Sequence, residues 1–107
     1  MYTNAQHRSS PEVQELRQRA GLWLRELREK RGLSQRQLAN LVGAEYYTFI
    51  SQLETGHGRI PPTRYREWAT ALGVAPAEFV RTLMKYYDPV TFSILFEDAQ
   101  ANSISSP

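Results

Sequence analysis

Four glycines divide the chain into segments, and each segment carries apolar residues at three- and four-residue spacing. These glycines are Gly32, Gly43, Gly56 and Gly73. Glycine often follows the last turn of a helix, because the left-handed backbone conformation found there excludes most other residues. The pattern therefore predicts a succession of amphipathic helices around one core, which is an all-α fold.

The first two predicted helices differ in length. The first runs from Pro11 to Arg31, with an apolar stripe of Val13, Leu16, Ala20, Trp23, Leu24 and Leu27. The second is short and follows Ser34, whose hydroxyl can cap it while Gln37 reaches back in a capping box. Its predicted buried positions are Leu38, Leu41 and Val42.

Three further helices follow the same spacing. The third is predicted from about Glu45 to Thr55, with an apolar stripe of Tyr46, Phe49, Ile50 and Leu53 and an outer face of Tyr47, Thr48, Ser51 and Gln52. The fourth carries Tyr65, Trp68, Ala69 and Leu72, and the fifth starts at Pro76 with Phe79, Val80, Leu83 and Tyr86 or Tyr87 turned inward. Gly58, Pro61 and Pro62 predict a loop between the third and fourth helices.

The segment after Asp88-Pro89 admits two interpretations. Its aromatic and β-branched residues suit a strand, whereas Asp88 can cap a short sixth helix that carries Val90, Phe92, Ile94, Leu95 and Phe96; we favour the helix. The predicted organisation is a flexible tail over 1–10, a domain over 11–88, an extension over 89–99 and a second flexible tail over 100–107.

Composition narrows the functions open to such a fold. The 107 residues suit one domain, and the absence of cysteine excludes a disulfide framework, a thiolate nucleophile and a cysteine-based zinc site. No apolar run is long enough to span a bilayer, and the N-terminus lacks the apolar region of a signal peptide. We therefore expect a cytoplasmic protein without membrane contact.

Catalytic or metal-binding groups do not converge in the sequence. His7 lies in a predicted tail and His57 in a loop, and aspartate occurs only at Asp88 and Asp98. The glycines around His57 follow a helix rather than a strand, which argues against a nucleotide-binding fingerprint. We expect no catalysis, no metal and no small-molecule cofactor.

Charge is unevenly distributed although the net charge is only +2. Residues 8–36 and 57–66 together carry +7, whereas residues 37–56 carry −2 and residues 67–107 carry −3. Two basic regions thus flank a short capped helix, a glycine turn and a helix with a polar, uncharged outer face. A helix-turn-helix has this arrangement, and its second helix enters the major groove of double-stranded DNA.

The same residues resemble a known family. Leu33-Ser34-Gln35 with Leu38-Ala39, then Gln52-Leu53-Glu54-Thr55-Gly56 and Trp68 to Pro76, are similar to the phage-repressor family of Cro/cI or XRE type. The resemblance covers residues 22–84. It implies a five-helix lambda-repressor-like domain that regulates transcription, usually as a homodimer on a pseudo-palindromic operator. Here the first helix is extended and a short C-terminal helix is added.

Site residues follow from the resemblance and from the predicted faces. Base contacts are expected from Tyr47, Thr48, Ser51 and Gln52, and phosphate contacts from Gln35, Arg36, Tyr46, Arg59 and Arg64. Tyr46 also falls on the apolar stripe, where packing in the core or at its rim is favoured. The resemblance further implies a structural pair of Arg28 and Glu54 that ties the first helix to the end of the third.

Three points stay open on the sequence alone. The turn after Gly43 is one residue longer than the family pattern, so the entry angle of the third helix is undetermined. A group of aromatic and aliphatic residues is expected either to cap the monomer core or to form a dimer interface; it consists of Tyr86, Tyr87, Phe92, Leu95 and Phe96. A protein-interaction module or antitoxin of the same fold, binding a toxin or other partner protein, is the alternative to DNA binding alone.

Overall fold

The computed structural model describes residues 10–98, and all the regular structure there is helical. The helices are α1 (Pro11–Lys30), α2 (Gln35–Leu41), α3 (Thr48–Glu54), α4 (Tyr65–Leu72), α5 (Pro76–Tyr87) and α6 (Pro89–Phe92). A 3-10 turn, Pro62–Arg64, precedes α4, and a π-helical segment, Ser93–Asp98, continues α6. The all-α prediction is confirmed, and helix rather than strand forms after Asp88.

The helix ends follow the capping rules used for the prediction. Ser10 precedes α1 and its hydroxyl accepts a hydrogen bond from the N–H of Val13, so this last residue of the predicted N-terminal tail caps a helix. Gly73 has a φ of 74° directly after α4, and Pro76 occupies the first turn of α5. The rest of the predicted tails, residues 1–9 and 100–107, lies outside the described residues, as does residue 99 at the end of the predicted extension.

One core joins α1 to α5. Its largest fully buried side chains are Trp68, Phe79, Leu24, Leu38, Ile50, Leu53, Ile60 and Leu83. The ring of Trp23 in α1 stacks on Phe79 in α5 with centroids 5.4 Å apart. Burying an aliphatic or aromatic side chain of this size contributes about 1.5–3 kcal/mol, so this core fixes the helices that carry the candidate site.

Two predicted core positions are wrong. Leu41 is 56% exposed, because the buried face of α2 runs through Leu38, Ala39 and Val42 and leaves Leu41 on its flank. Tyr46 is 66% exposed, because α3 begins at Thr48 rather than near Glu45, so the helical spacing assumed for Tyr46 does not apply.

No helix within residues 10–98 combines the length and the apolar character needed to cross a membrane.

Candidate functional site

The α2–turn–α3 unit begins with a complete capping box. The Ser34 hydroxyl accepts a hydrogen bond from the N–H of Gln37 at 3.0 Å, and the Gln37 side-chain oxygen accepts one from the N–H of Ser34 at 2.7 Å. This box pairs two backbone donors that the first turn of a helix leaves without partners. It fixes the start of α2 as the sequence predicts.

The long turn after α2 is braced by an arginine from the 3-10 turn that precedes α4. Arg64 donates from Nη2 to the carbonyl oxygen of Val42 at 2.6 Å, and its Nε lies 3.1 Å from a carboxylate oxygen of Glu67. Arg64 was expected to contact phosphate; the structure instead places its guanidinium against the end of α2. A contact with DNA from Arg64 stays a prediction.

Two glycines let α1 approach the end of α3 closely. A Cβ on Gly21 would lie 2.4 Å from the carbonyl oxygen of Glu54, and a Cβ on Gly56 would lie 3.0 Å from the backbone nitrogen of Gln18. Gly56 also has a φ of 91°, which few other residues tolerate. The backbones of α1 and α3 therefore meet directly, which sets the orientation of α3.

A buried ion pair reinforces this crossing. Arg28 donates to Glu54 through Nε at 2.6 Å and through Nη2 at 3.0 Å, and both side chains are largely buried. Arg28 also donates to the carbonyl oxygen of Leu33 at 2.8 Å, while Gln35 Nε2 donates to Glu54 at 3.1 Å. The hydrogen bonds that Arg28 donates to the Glu54 carboxylate raise the pKa of Arg28, which stays charged. The structure thus joins the expected pair and adds Gln35 to it.

The outward side of α3 presents uncharged hydrogen-bonding groups. Thr48 and Gln52 are exposed, Ser51 is half-buried one turn after Thr48, and Tyr47 is the residue preceding the helix, with 41% exposure. Hydroxyl and amide groups both donate and accept hydrogen bonds, so such a surface can match base edges without burying an unpaired charge. We call Tyr47, Thr48, Ser51 and Gln52 the α3 outer face.

Basic side chains lie at both ends of the α3 outer face. At its start, the Arg36 guanidinium is 4.3 Å from the centroid of the Tyr47 ring. After its end, Arg59 lies in an exposed loop and its guanidinium is 4.7 Å from the centroid of Tyr87. The loop is anchored by Ile60, which is fully buried and donates its N–H to the Tyr87 oxygen at 3.2 Å.

The residues expected at a dimer interface divide into two groups. Tyr86 lies against Trp23, with centroids 6.4 Å apart, and Tyr87 holds the loop after α3, so both make contacts within this chain. Phe92 and Phe96 pack on each other at 5.1 Å, and Leu95 beside them is 52% exposed. The exposed apolar surface of the C-terminal segment is completed by Val90 and Ile94.

Sequence reasoning missed several structural residues. A glycine inside the helical pattern, Gly21, signals a close approach of backbones, and a β-branched residue within a glycine- and proline-rich loop, Ile60, signals an anchor. Arg17 gave no signal, since its contact with Tyr87 joins distant parts of the chain; its guanidinium lies 5.8 Å from that ring. Within residues 10–98, histidine, aspartate and glutamate form no group of three that could hold a metal.

Comparison with known protein families gives a match. The model of the family HTH_3, described as helix-turn-helix, matches residues 24–79, more than half of the chain. The matched segment begins within α1 and includes α2, the long turn, α3 and α4. No curated protein sequence matches this chain.

Proposed function

Because the chain belongs to the HTH_3 helix-turn-helix family and is a DNA-binding regulator, we propose that it recognises a specific operator as a homodimer. The observation that carries the proposal is the α3 outer face, which presents four uncharged hydrogen-bonding side chains. The close approach at Gly21 and the Arg28–Glu54 ion pair hold α3 against α1. With α3 in the major groove, these side chains contact base edges.

The two kinds of contact have separate roles in this proposal. Gln52 donates and accepts through one amide, which suits adenine, and Thr48 and Ser51 supply hydroxyls for neighbouring positions. Backbone phosphates are bound by the basic and polar groups around this face; these are Gln35, Arg36 and Arg59, with Tyr46 and Arg64 at the turn. Phosphate contacts fix the position of the protein on the duplex, and base contacts determine which DNA sequence it prefers.

Selection of bound duplexes from a random library tests the proposal. We expect an inverted repeat with half-sites about one helical turn apart, bound far more tightly than a scrambled duplex. Recovery of no motif, with binding abolished at moderate salt, would contradict operator recognition and favour the partner-protein alternative.

Two substitutions then separate base contacts from phosphate contacts. Gln52→Ala should cost about 1–3 kcal/mol on the selected operator and relax preference at one position, whereas Arg59→Ala should weaken all sequences alike. Thr70→Ala, at an exposed position of α4, is the matched control and should leave both affinities unchanged. Equal reductions from Gln52→Ala on operator and scrambled DNA would contradict a reading role for Gln52.

The homodimer is proposed to form through the C-terminal segment. Val90, Ile94 and Leu95 expose 69%, 56% and 52% of their surface, and the half-buried Phe92 and Phe96 pack on each other in the same segment. Clustered exposed apolar side chains often mark an interface. Analytical ultracentrifugation should show a dimer, and Leu95→Asp should shift it toward monomer while Glu97→Gln does not. A wild-type protein that stays monomeric on its operator would refute the dimer.

A further inference from the structure

Two arginines from distant parts of the chain converge on one tyrosine ring. Arg17 in α1 and Arg59 in the loop after α3 place their guanidinium carbons 5.8 Å and 4.7 Å from the centroid of Tyr87. The ring itself is held in place, because its oxygen accepts a hydrogen bond from the N–H of the fully buried Ile60. Both guanidinium groups are therefore held within 6 Å of the centroid of one fixed ring.

Neither charge is neutralised by a carboxylate among residues 10–98. This distinguishes Arg17 from other arginines of the same helix, since Arg19 pairs with Glu15 at 2.9 Å and Arg25 with Glu29 at 3.0 Å. An aromatic face attracts a cation only weakly at an exposed site. A guanidinium that contacts only such a ring keeps its N–H donors available to an anion.

An open groove lies beside Arg17 and ends at Gly58, the residue before Arg59. The groove has a volume of about 320 Å³ and lies between α1 and the loop after α3, with Arg17 on one side and Gly56, His57 and Gly58 on the other. At Gly58, a Cβ would meet only a side-chain carbon of Leu53 at 4.0 Å, so the loop backbone is open to a ligand.

The position of the groove specifies which anion it meets. The loop begins directly after α3 ends, so a duplex that holds α3 in its major groove brings a sugar-phosphate strand past the loop. Arginine suits phosphate because its planar fork can donate two parallel hydrogen bonds. A phosphodiester of the bound duplex therefore fits the charge, the donors and the position.

We infer that Arg17 and Arg59 form a backbone-binding site for DNA at the α1 side of α3, to which the extended first helix contributes. The inference rests on the proposed function, because it requires α3 to lie in the major groove. It gives α1 a second role besides packing, and it adds Arg17 to the residues that contact DNA.

Salt dependence measures this site directly. Binding of the selected operator and of a scrambled duplex is measured over a range of salt for wild type, Arg17→Gln, Arg59→Gln and the double variant. Removing one phosphate contact should lower the slope of log affinity against log salt by about 0.9. The affinities for the operator and for the scrambled duplex should fall by the same factor, since phosphate contacts carry no sequence information.

Two further variants separate charge from packing. Arg19→Gln removes an arginine of the same helix that is paired with Glu15, and should leave the slope unchanged. Arg17→Lys keeps the charge but not the planar group, so its salt-dependence slope should stay close to that of wild type. Melting temperatures for all variants report any weakening of the packing against Tyr87 independently of DNA.

The outcomes distinguish this site from the proposed function. A wild-type protein that binds the operator, together with an Arg17→Gln slope equal to wild type, would overturn the backbone site and leave operator recognition standing. Equal slope changes in Arg17→Gln and Arg19→Gln would also overturn it, because general charge would then suffice. A wild-type protein that binds no duplex at low salt would overturn the proposed function and this inference together.

Discussion

Replacing Gly21 with alanine sets two physical effects against each other. In an isolated helix this change is stabilising by about 0.5–1 kcal/mol, because glycine loses more backbone entropy on folding. Here the new Cβ would lie 2.4 Å from the carbonyl oxygen and 2.6 Å from the carbonyl carbon of Glu54, whereas ordinary contacts begin at 3.4 Å. The obstructing atoms are backbone, so α1 and α3 must move apart by about an ångström in a packed interior, where overpacking costs about 1–3 kcal/mol or more.

We therefore expect Gly21→Ala to lose about 0.5–2 kcal/mol of stability after the helix-propensity gain is subtracted. For a domain of this size, each kcal/mol lowers the melting temperature by about 4–8 °C. Thermal unfolding followed by circular dichroism measures the change, with Leu22→Ala, at an exposed neighbouring position, as the control. A Gly21→Ala protein that melts at or above the wild-type temperature would refute the close approach of α1 and α3.

Three other contacts are tested by substitution. Glu54→Ala leaves Arg28 buried without a counter-ion and should cost about 3–5 kcal/mol in urea unfolding, whereas Glu29→Ala, which breaks an exposed pair, should cost less than about 1 kcal/mol. Arg64→Met removes the brace on the end of α2 and should cost about 1–2 kcal/mol by the same measurement; an unchanged stability would show that the long turn holds without it. Burial raises the pKa of Tyr87, so the unfolded chain loses this proton first, and stability should be flat below about pH 10 and fall above it. The stability of the Tyr87→Phe variant should fall less steeply with rising pH. Identical alkaline stability profiles for wild type and this variant would contradict the burial of the Tyr87 hydroxyl.

Local sequence rules predicted most of the fold. The capping box of Ser34 and Gln37, the proline in the first turn of α5 and the glycine after α4 each act within a few residues, so the sequence determines them directly. The long turn is different, because Ala44 to Tyr47 contain no glycine or proline to mark where α3 starts. The prediction therefore extended α3 too far and gave Tyr46 a packing role that the structure contradicts.

The candidate site shows the same division. Three residues of the α3 outer face, Thr48, Ser51 and Gln52, follow from helical spacing counted back from Gly56, and that spacing holds inside the helix wherever the helix begins. Contacts between distant residues, such as that of Arg64 with the carbonyl of Val42, depend on how the helices pack, which spacing within one segment does not specify. The exposure of Leu41 was mispredicted for the same reason, since it depends on where α4 passes α2.

One helix connects the two halves of the proposed DNA contact. Gly21 and Arg17 are one helical turn apart on α1, so the face that touches α3 also carries the proposed backbone site. Gly21→Ala displaces α3 against α1, and it should therefore lower both operator preference and total affinity. Arg17→Gln leaves the α1–α3 contact intact, and should lower affinity for the operator and the scrambled duplex equally. If Gly21→Ala kept the operator preference of wild type, α1 would not set the orientation of α3.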